Sequence, residues 1–230
     1  MRAISIVIYK NKISETGYNN LILSSKYVKN DFEISKWNAV TPENVDIIMD
    51  KFNLKWNYPW NGSFLDEKTK LLKSAYNTIN PKARIACAVS HYCLWSESAE
   101  KNETLLILEH DAIFINRIDF IPKDMNADIF GINNPINATR KANIFHAKIQ
   151  ESAAKLQLVP TIDDDKIPQG LAGNSAYIIK PNGAKKLLEL VKIYGLWPND
   201  AIMCKQLIPG LSVTKKYYTK IQNLESTTSK

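Results

Sequence analysis

Two short apolar runs dominate the pattern along the chain. Residues 4–9, ISIVIY, and 104–109, TLLILE, are almost unbroken in hydrophobic and β-branched side chains, which predicts strands covered on both faces, as in a parallel sheet. Elsewhere the spacing becomes helical. SETGYNNLILSSKYVKN (14–30) carries apolar residues near helical intervals, and ENVDIIMDKFNL (43–54) sets Val45, Ile48, Met49 and Phe52 on one face. Pro81 opens a helix through KARIACAVSHYCLWSESAEKN (82–102), whose packed face is read as Ile85, Val89, Tyr92, Ser96 and Ala99. WNAV (37–40), DIFGIN (128–133) and GNSAYIIK (173–180) predict further strands. PNGAKKLLELVKIYG predicts a helix opened near Pro181 and stopped at Gly195.

The remaining stretches are less regular. WNYPWNGS (56–63) predicts a loop, and residues 134–170 predict long loops around a helix in NIFHAKIQESAAKLQ (143–157). LWPND (196–200) reads as a turn into a helix over AIMCKQLI (201–208). VTKKYYTKIQ (213–222) reads as a basic edge strand and NLESTTSK (223–230) as a frayed end. No repeat, linker or low-complexity tract divides the 230 residues. The pattern therefore predicts one α/β domain with a Rossmann-type, mostly parallel sheet and helices on both faces.

Composition is that of an ordinary globular protein, with 45% hydrophobic and 23% charged residues. A formal charge of +7 suits an anionic partner such as nucleic acid, a nucleotide diphosphate, an anionic glycan or a membrane surface. A lysine-rich solvated exterior explains it equally. The first apolar run is too short to span a membrane and lacks a cleavage site. Cys87, Cys93 and Cys204 are odd in number and have no CxxC spacing, which argues against a disulfide framework or a zinc site. The expected compartment is the cytoplasm.

Candidate chemistry gathers in LLILEHDAIF (105–114), where a buried strand ends in Glu109, His110 and Asp111. Acids two apart on extended backbone point the same way and offer paired oxygens to Mg²⁺ or Mn²⁺. A solvated strand end is the plainer reading. His91, in mid-helix beside Tyr92, is expected to face the sheet and hydrogen-bond a neighbouring loop. His110 is a pocket wall, a donor to the acids or an ordinary surface histidine. Asp200, after Trp197-Pro198-Asn199, is by default a helix cap.

RIACAVSHYCLW (84–95), LLILEHDAIF, GNSAYIIKPNGAKKLLEL (173–190) and WPND (197–200) together resemble glycosyltransferase family 25, the lipooligosaccharide and collagen galactosyltransferase group. The order and spacing match across roughly residues 84–205. The Glu-His-Asp variant and IPQGLAGNSAY (167–177) look like uncharacterised phage-encoded members, which would act in the host cytoplasm. The resemblance implies a GT-A fold, a UDP-hexose donor, usually Mn²⁺, and a lipooligosaccharide or other glycan acceptor. It makes Glu109 and Asp111 the metal-binding acids and matches Ser90, His91 and Asp200 to family positions, with Ser90 and His91 shaping the donor pocket. It also suggests a nucleotide-sugar half (1–115), an acceptor half (116–215) and a tail (216–230).

Two departures stand out. Tyr9, Lys10, Asn11 and Lys12 replace the family's early Asn-Leu-x-x-Arg segment, and His110 replaces its central aspartate. An inverting transferase needs a carboxylate to take the acceptor proton, and Asp200 is the first candidate, with Asp163 to Asp165 as competitors. Asn174 and Ser175, in a stretch rich in small residues, are candidates for sugar hydroxyls, while Trp56, Tyr58 and Trp60 either stack on a sugar or base or pack as a lid. Lys215 to Lys220 leave a hydroxymethylated DNA base open as acceptor. A degenerate nucleotide- or glycan-binding protein is the remaining reading.

Overall fold

The computed structural model describes residues 1–76, 78–138 and 141–225. Residues 226–230 of the stretch expected to fray lie outside the described residues. The chain begins β1 (Arg2–Val7), α1 (Lys12–Tyr27), β2 (Ile34–Asn38), α2 (Val45–Lys51), β3 (Ser63–Leu65), β4 (Leu72–Ser74), α3 (Pro81–Lys101) and β5 (Leu105–Glu109). It continues β6 (Ala112–Phe114), β7 (Ile129–Gly131), α4 (Ala142–Glu151), β8 (Leu156–Leu158), β9 (Ala176–Ile179), α5 (Pro181–Tyr194), α6 (Asn199–Ile202), β10 (Ser212–Thr214) and β11 (Thr219–Ile221).

Seven strands form the central sheet in the order β2-β1-β5-β9-β7-β10-β8. Five run in one direction, while β9 and β8 oppose their neighbours. The α/β class and mostly parallel sheet match expectation. Alternation along the strands divides the core: Leu105 and Ile107 join Ile4, Tyr177 and Ile179 beneath α3 and α5, whereas Leu106 and Leu108 join Ala3, Ile178 and Leu21 of α1 on the other face. Glu109 continues the first set, so its side chain leaves the strand toward α3.

The helices start where local chemistry allows. Asn11 caps α1 by accepting from the Ser14 N–H at 3.0 Å, and Asn80 caps α3 by accepting from Ala83 at 3.1 Å, with Pro81 in the first turn. The α3 packing is broader than the spacing suggested. Val89 and Ser96 of the expected face are buried, but so are Ala83, Ala86, Ser90, His91, Leu94 and Trp95, because α3 packs against its neighbours α5 and α2 as well as over the sheet.

Several boundaries differ from the sequence reading. The second strand begins three residues before WNAV and includes only its Trp37 and Asn38, because the parallel register with β1 ends at Asn38. The helix predicted over 201–208 is one short turn at 199–202, followed by further turns. The expected basic edge strand divides: β10 inserts between β7 and β8, and β11 pairs with β6 in a separate ribbon. Residues 219–222, placed within the tail (216–230), thus return to the strand ends.

Gln222 makes that return specific. Its backbone N–H donates to the Asp111 carbonyl at 2.6 Å, while its side-chain amide donates to the carbonyls of Gly17, His110 and Ala112 at 3.0, 3.2 and 3.1 Å. α1 approaches so closely that a Cβ on Gly17 would sit 2.4 Å from the His110 carbonyl oxygen. Gly17→Ala is therefore expected to lower stability by about 1–3 kcal/mol by forcing α1 off the 110–112 turn. Denaturant unfolding checks this, and a wild-type midpoint would disprove the close approach.

Candidate active site

The carboxyl ends of β1, β2 and β5 open onto a cavity of about 570 Å³, walled by Ile6, Tyr9, Lys10, Val40, Ser90 and His91 among others. Beside it lies a smaller cavity of about 250 Å³, lined by Arg84, Asp111, Gly173, Asn174, Ser175, Asn199 and Asp200. Cys87, Glu109 and His110 line both. Ligands of open α/β sheets bind at this end of the strands, where loops diverge. A third groove, about 830 Å³, lies apart from these carboxylates between residues 52–57 and α5.

Glu109 is held from below. The fully buried His91 ring places Nε2 3.2 Å from Glu109 Oε1 and Nδ1 2.8 Å from the Tyr177 hydroxyl, which also accepts from Trp95 Nε1 at 2.8 Å. Trp95 can only donate, and an ionised carboxylate can only accept. A neutral His91 with its proton on Nε2 satisfies every member: Tyr177 donates to Nδ1, and Nε2–H donates to Glu109. His91 thus faces the sheet as expected, but it bonds two strands rather than a loop.

The two acids are driven apart in charge. Burial works against ionised Glu109, yet the hydrogen bond from His91, with the favourable electrostatics of both imidazoles and of Arg84, outweighs it and holds its pKa below the usual range. Asp111 is pushed up to about 7 by burial and then by the Glu109 charge, with a Ser175 hydrogen bond pulling partly back. Burial also lowers the His110 pKa, against the opposing pull of Glu109.

Asp200 does not cap α6. Pro198 occupies the cap position and no side chain caps it. Burial raises the Asp200 pKa, opposed by the Arg84 charge and by a hydrogen bond from Tyr76. Tyr76 stacks on Tyr58 at 5.7 Å between centroids and lies under the Arg84 guanidinium at 4.9 Å. The aromatic loop is therefore linked to Asp200 through Tyr58 and Tyr76, while Trp56 and Trp60 stack on each other at 5.0 Å. Lys73 anchors this segment: fully buried, it pairs with Asp66 at 2.6 Å, donates to the Asn57 carbonyl at 3.0 Å and sits over Trp197.

Unpartnered polar atoms converge on the smaller cavity. Asp111 Oδ1, Asp200 Oδ1 and both amide atoms of Asn174 are buried without a hydrogen-bond partner among the described residues. Such atoms cost stability unless something satisfies them. Ser90, by contrast, is fully used, donating to the Ala86 carbonyl and accepting from the Val40 N–H, both at 2.9 Å. The small residues before β9 serve protein contacts. Gly170 brings its backbone against Asp200, where a Cβ would lie 2.5 Å from the carbonyl oxygen, and Gly173 has φ +87°.

Other candidates lie elsewhere. Asp163 pairs with Lys141, and Asp164 accepts from the Lys166 N–H, so neither lines the cavities. In the basic stretch, Lys216 is paired with Asp119 at 2.5 Å and Lys215 donates to the Ser152 carbonyl at 2.6 Å. Arg84, Cys87 and Tyr76 were not singled out from the sequence. Arg84, Cys87 and His91 recur at intervals of three and four on α3, one stripe of chemically active side chains along a helix face that could have marked them.

The ligand atoms of Cys87, His91 and Glu109 lie within 4.8 Å of one another, a juxtaposition that cysteine spacing does not reveal. All three cysteines are free thiols. No helix among the described residues is long and apolar enough to cross a membrane.

No curated protein matches the chain. Among solved structures it is similar to galactosyltransferase LgtC in complex with donor and acceptor sugar analogs, at 9% identity and a TM-score of 0.42, covering 93% of this chain and 73% of that one. A family profile described as glycosyltransferase family 25 (LPS biosynthesis protein) matches residues 61–203, well over half of the chain and including α3, Glu109, Asp111 and Asp200. The chain therefore belongs to glycosyltransferase family 25 and is a glycosyltransferase.

Proposed function

We propose that this enzyme transfers a hexose, galactose or glucose, from a UDP-sugar to a hydroxyl of a lipooligosaccharide or related glycan, with Mn²⁺ or Mg²⁺ bound. The carrying observation is the convergence of Asp111 Oδ1, Asp200 Oδ1 and the Asn174 amide, buried and unpartnered, on one cavity at the end of β5. The larger cavity takes the nucleotide: apart from Glu225, its lining comes from residues 6–110, which supports a donor-binding N-terminal half. Tyr9, Lys10 and Asn11 border it, so the segment that departs from the family pattern is where base and ribose contacts differ.

The donors in the smaller cavity suit a hard cation. Glu109 and Asp111 supply carboxylate oxygens, and a cation would relieve the buried, unpartnered charge that raises the Asp111 pKa. Bound there, it would supply neutralisation of the charge that builds on the departing diphosphate. Arg84 lines the same cavity and adds positive charge. Asn174 orients sugar hydroxyls with its free donor and acceptor, and Ser175 holds the Asp111 carboxylate. His91 keeps Glu109 ionised and aimed at the cavity mouth. Asp200 receives the acceptor hydroxyl proton on its unpartnered oxygen, and its raised pKa makes it a stronger base than an exposed aspartate.

Three outcomes are expected. In a thermal-shift panel, UDP or a UDP-sugar at about 100 times its dissociation constant stabilises the protein by roughly 2.7 kcal/mol with Mn²⁺ present. GDP gives less, and Asp111→Asn abolishes the Mn²⁺ dependence. A UDP shift indifferent to Mn²⁺ and to this substitution would sink the metal assignment. Asp200→Asn retains donor binding but loses about 10²- to 10⁴-fold in transfer rate, whereas full turnover would move the base elsewhere.

The third concerns the chelator-treated protein. With a folded pKa near 7 and an unfolded one near ~4, Asp111 contributes stability that is complete below about pH 4 and is lost as pH rises through about 7. Asp111→Asn removes that pH-dependent loss. Its melting temperature relative to wild type should therefore rise between pH 4.5 and pH 8, and a pH-independent difference would refute the buried, unpaired carboxylate.

A further inference from the structure

We propose that Cys87, His91 and Glu109 form a soft-cation site for Zn²⁺, sharing the Glu109 carboxylate with the smaller cavity, so that Zn²⁺ antagonises the hard cation bound next to it. Cys87 and His91 are four residues apart on α3, one turn above each other on the face toward the sheet, and Glu109 rises from β5 to meet them. Thiolate, imidazole and carboxylate are the three ligand types that zinc takes, and three protein ligands leave a fourth position open.

The spacing fits coordination. Two ligand atoms about 2.0–2.1 Å from a tetrahedral ion stand roughly 3.3 Å apart. His91 Nε2 and Glu109 Oε1 are already 3.2 Å apart, and all three ligand atoms lie within 4.8 Å, so the Cys87 sulfur needs only a modest approach. The remaining histidine nitrogen has the partner that metal-bound imidazole requires. Tyr177 Oη, 2.8 Å from Nδ1, donates to it when the proton is on Nε2 and accepts from it when a metal takes Nε2. On binding, Cys87 gives up its thiol proton and its contact with Asn199 Oδ1 at 3.8 Å. Cys87 and Glu109 line both cavities, so the open coordination position faces the space assigned to the donor.

The inference uses the position of Glu109 and does not require that Asp111 bind Mn²⁺. Co²⁺ added to the metal-free 230-residue chain is expected to give a thiolate-to-cobalt charge-transfer band with the intense visible bands of a four-coordinate ion. Asp111→Asn and the double variant Cys93→Ser/Cys204→Ser keep the band. Cys87→Ser loses it and weakens Zn²⁺ binding at least about tenfold. In the wild-type protein, Zn²⁺ slows alkylation of Cys87 but not of Cys93, read by peptide mass, and it displaces bound Mn²⁺.

No band in the wild type, a band that follows Cys93 or Cys204, or an unchanged Cys87 alkylation rate would overturn the zinc site. Each of these leaves the UDP–Mn²⁺ shift standing as a separate result. Loss of that shift with the cobalt band intact would instead count against the proposed donor site alone.

Discussion

The hydrogen bond from His91 to Glu109 joins a ring without solvent exposure to a carboxylate at a cavity mouth, and it constrains three elements together. His91 sits on α3, Glu109 ends β5, and Tyr177, which fixes the imidazole proton, lies on β9. Trp95 closes the network from the next turn of α3. Each buried polar atom in it has a partner, so the network holds one geometry, and breaking it would leave a buried donor or acceptor unsatisfied. Packing of α3 onto the sheet and aiming of Glu109 are therefore one event.

Around that fixed carboxylate the site sorts its charges. Glu109 is stabilised by imidazole neighbours, while burial and then the Glu109 charge raise the neighbouring Asp111, so two acids two residues apart occupy different protonation regimes. The turn between them is set by distant chain: α1 presses on it through Gly17, and Gln222 pins it from the C-terminal side. Asp200 is brought in by a third route. Gly170 packs against its backbone, and Tyr76, stacked on Tyr58 and tied to a segment anchored by buried Lys73, reaches its carboxylate. The smaller cavity is what remains where these segments meet.

Much of this was legible in the chain. Nearly unbroken apolar runs marked β1 and β5, a proline and a glycine bracketed α5, and the order of acids, Ser-His and late aspartate identified the family. What failed did so for physical reasons. The short turn at 199–202 has helical composition, but Gly170 packing and the Tyr76 bond hold the chain in another course. β10 reads as an edge strand because its local pattern carries no information about the antiparallel β8 that covers it. The α3 packed face was drawn too narrowly because a helix covered on two sides has no single apolar stripe.

The sequence by itself determined the principal strands and helices, the strand end that carries the acids and the enzyme family, because periodicity, caps and motif order are local properties of the chain. Tertiary structure alone decided which groups meet. Cys87 beside Glu109, Tyr76 on Asp200, Tyr177 behind His91 and Gln222 under the 110–112 turn are contacts between segments tens of residues apart. The charge states of the acids follow from those contacts, since burial and neighbouring charge, rather than residue type, set a carboxyl group's proton affinity.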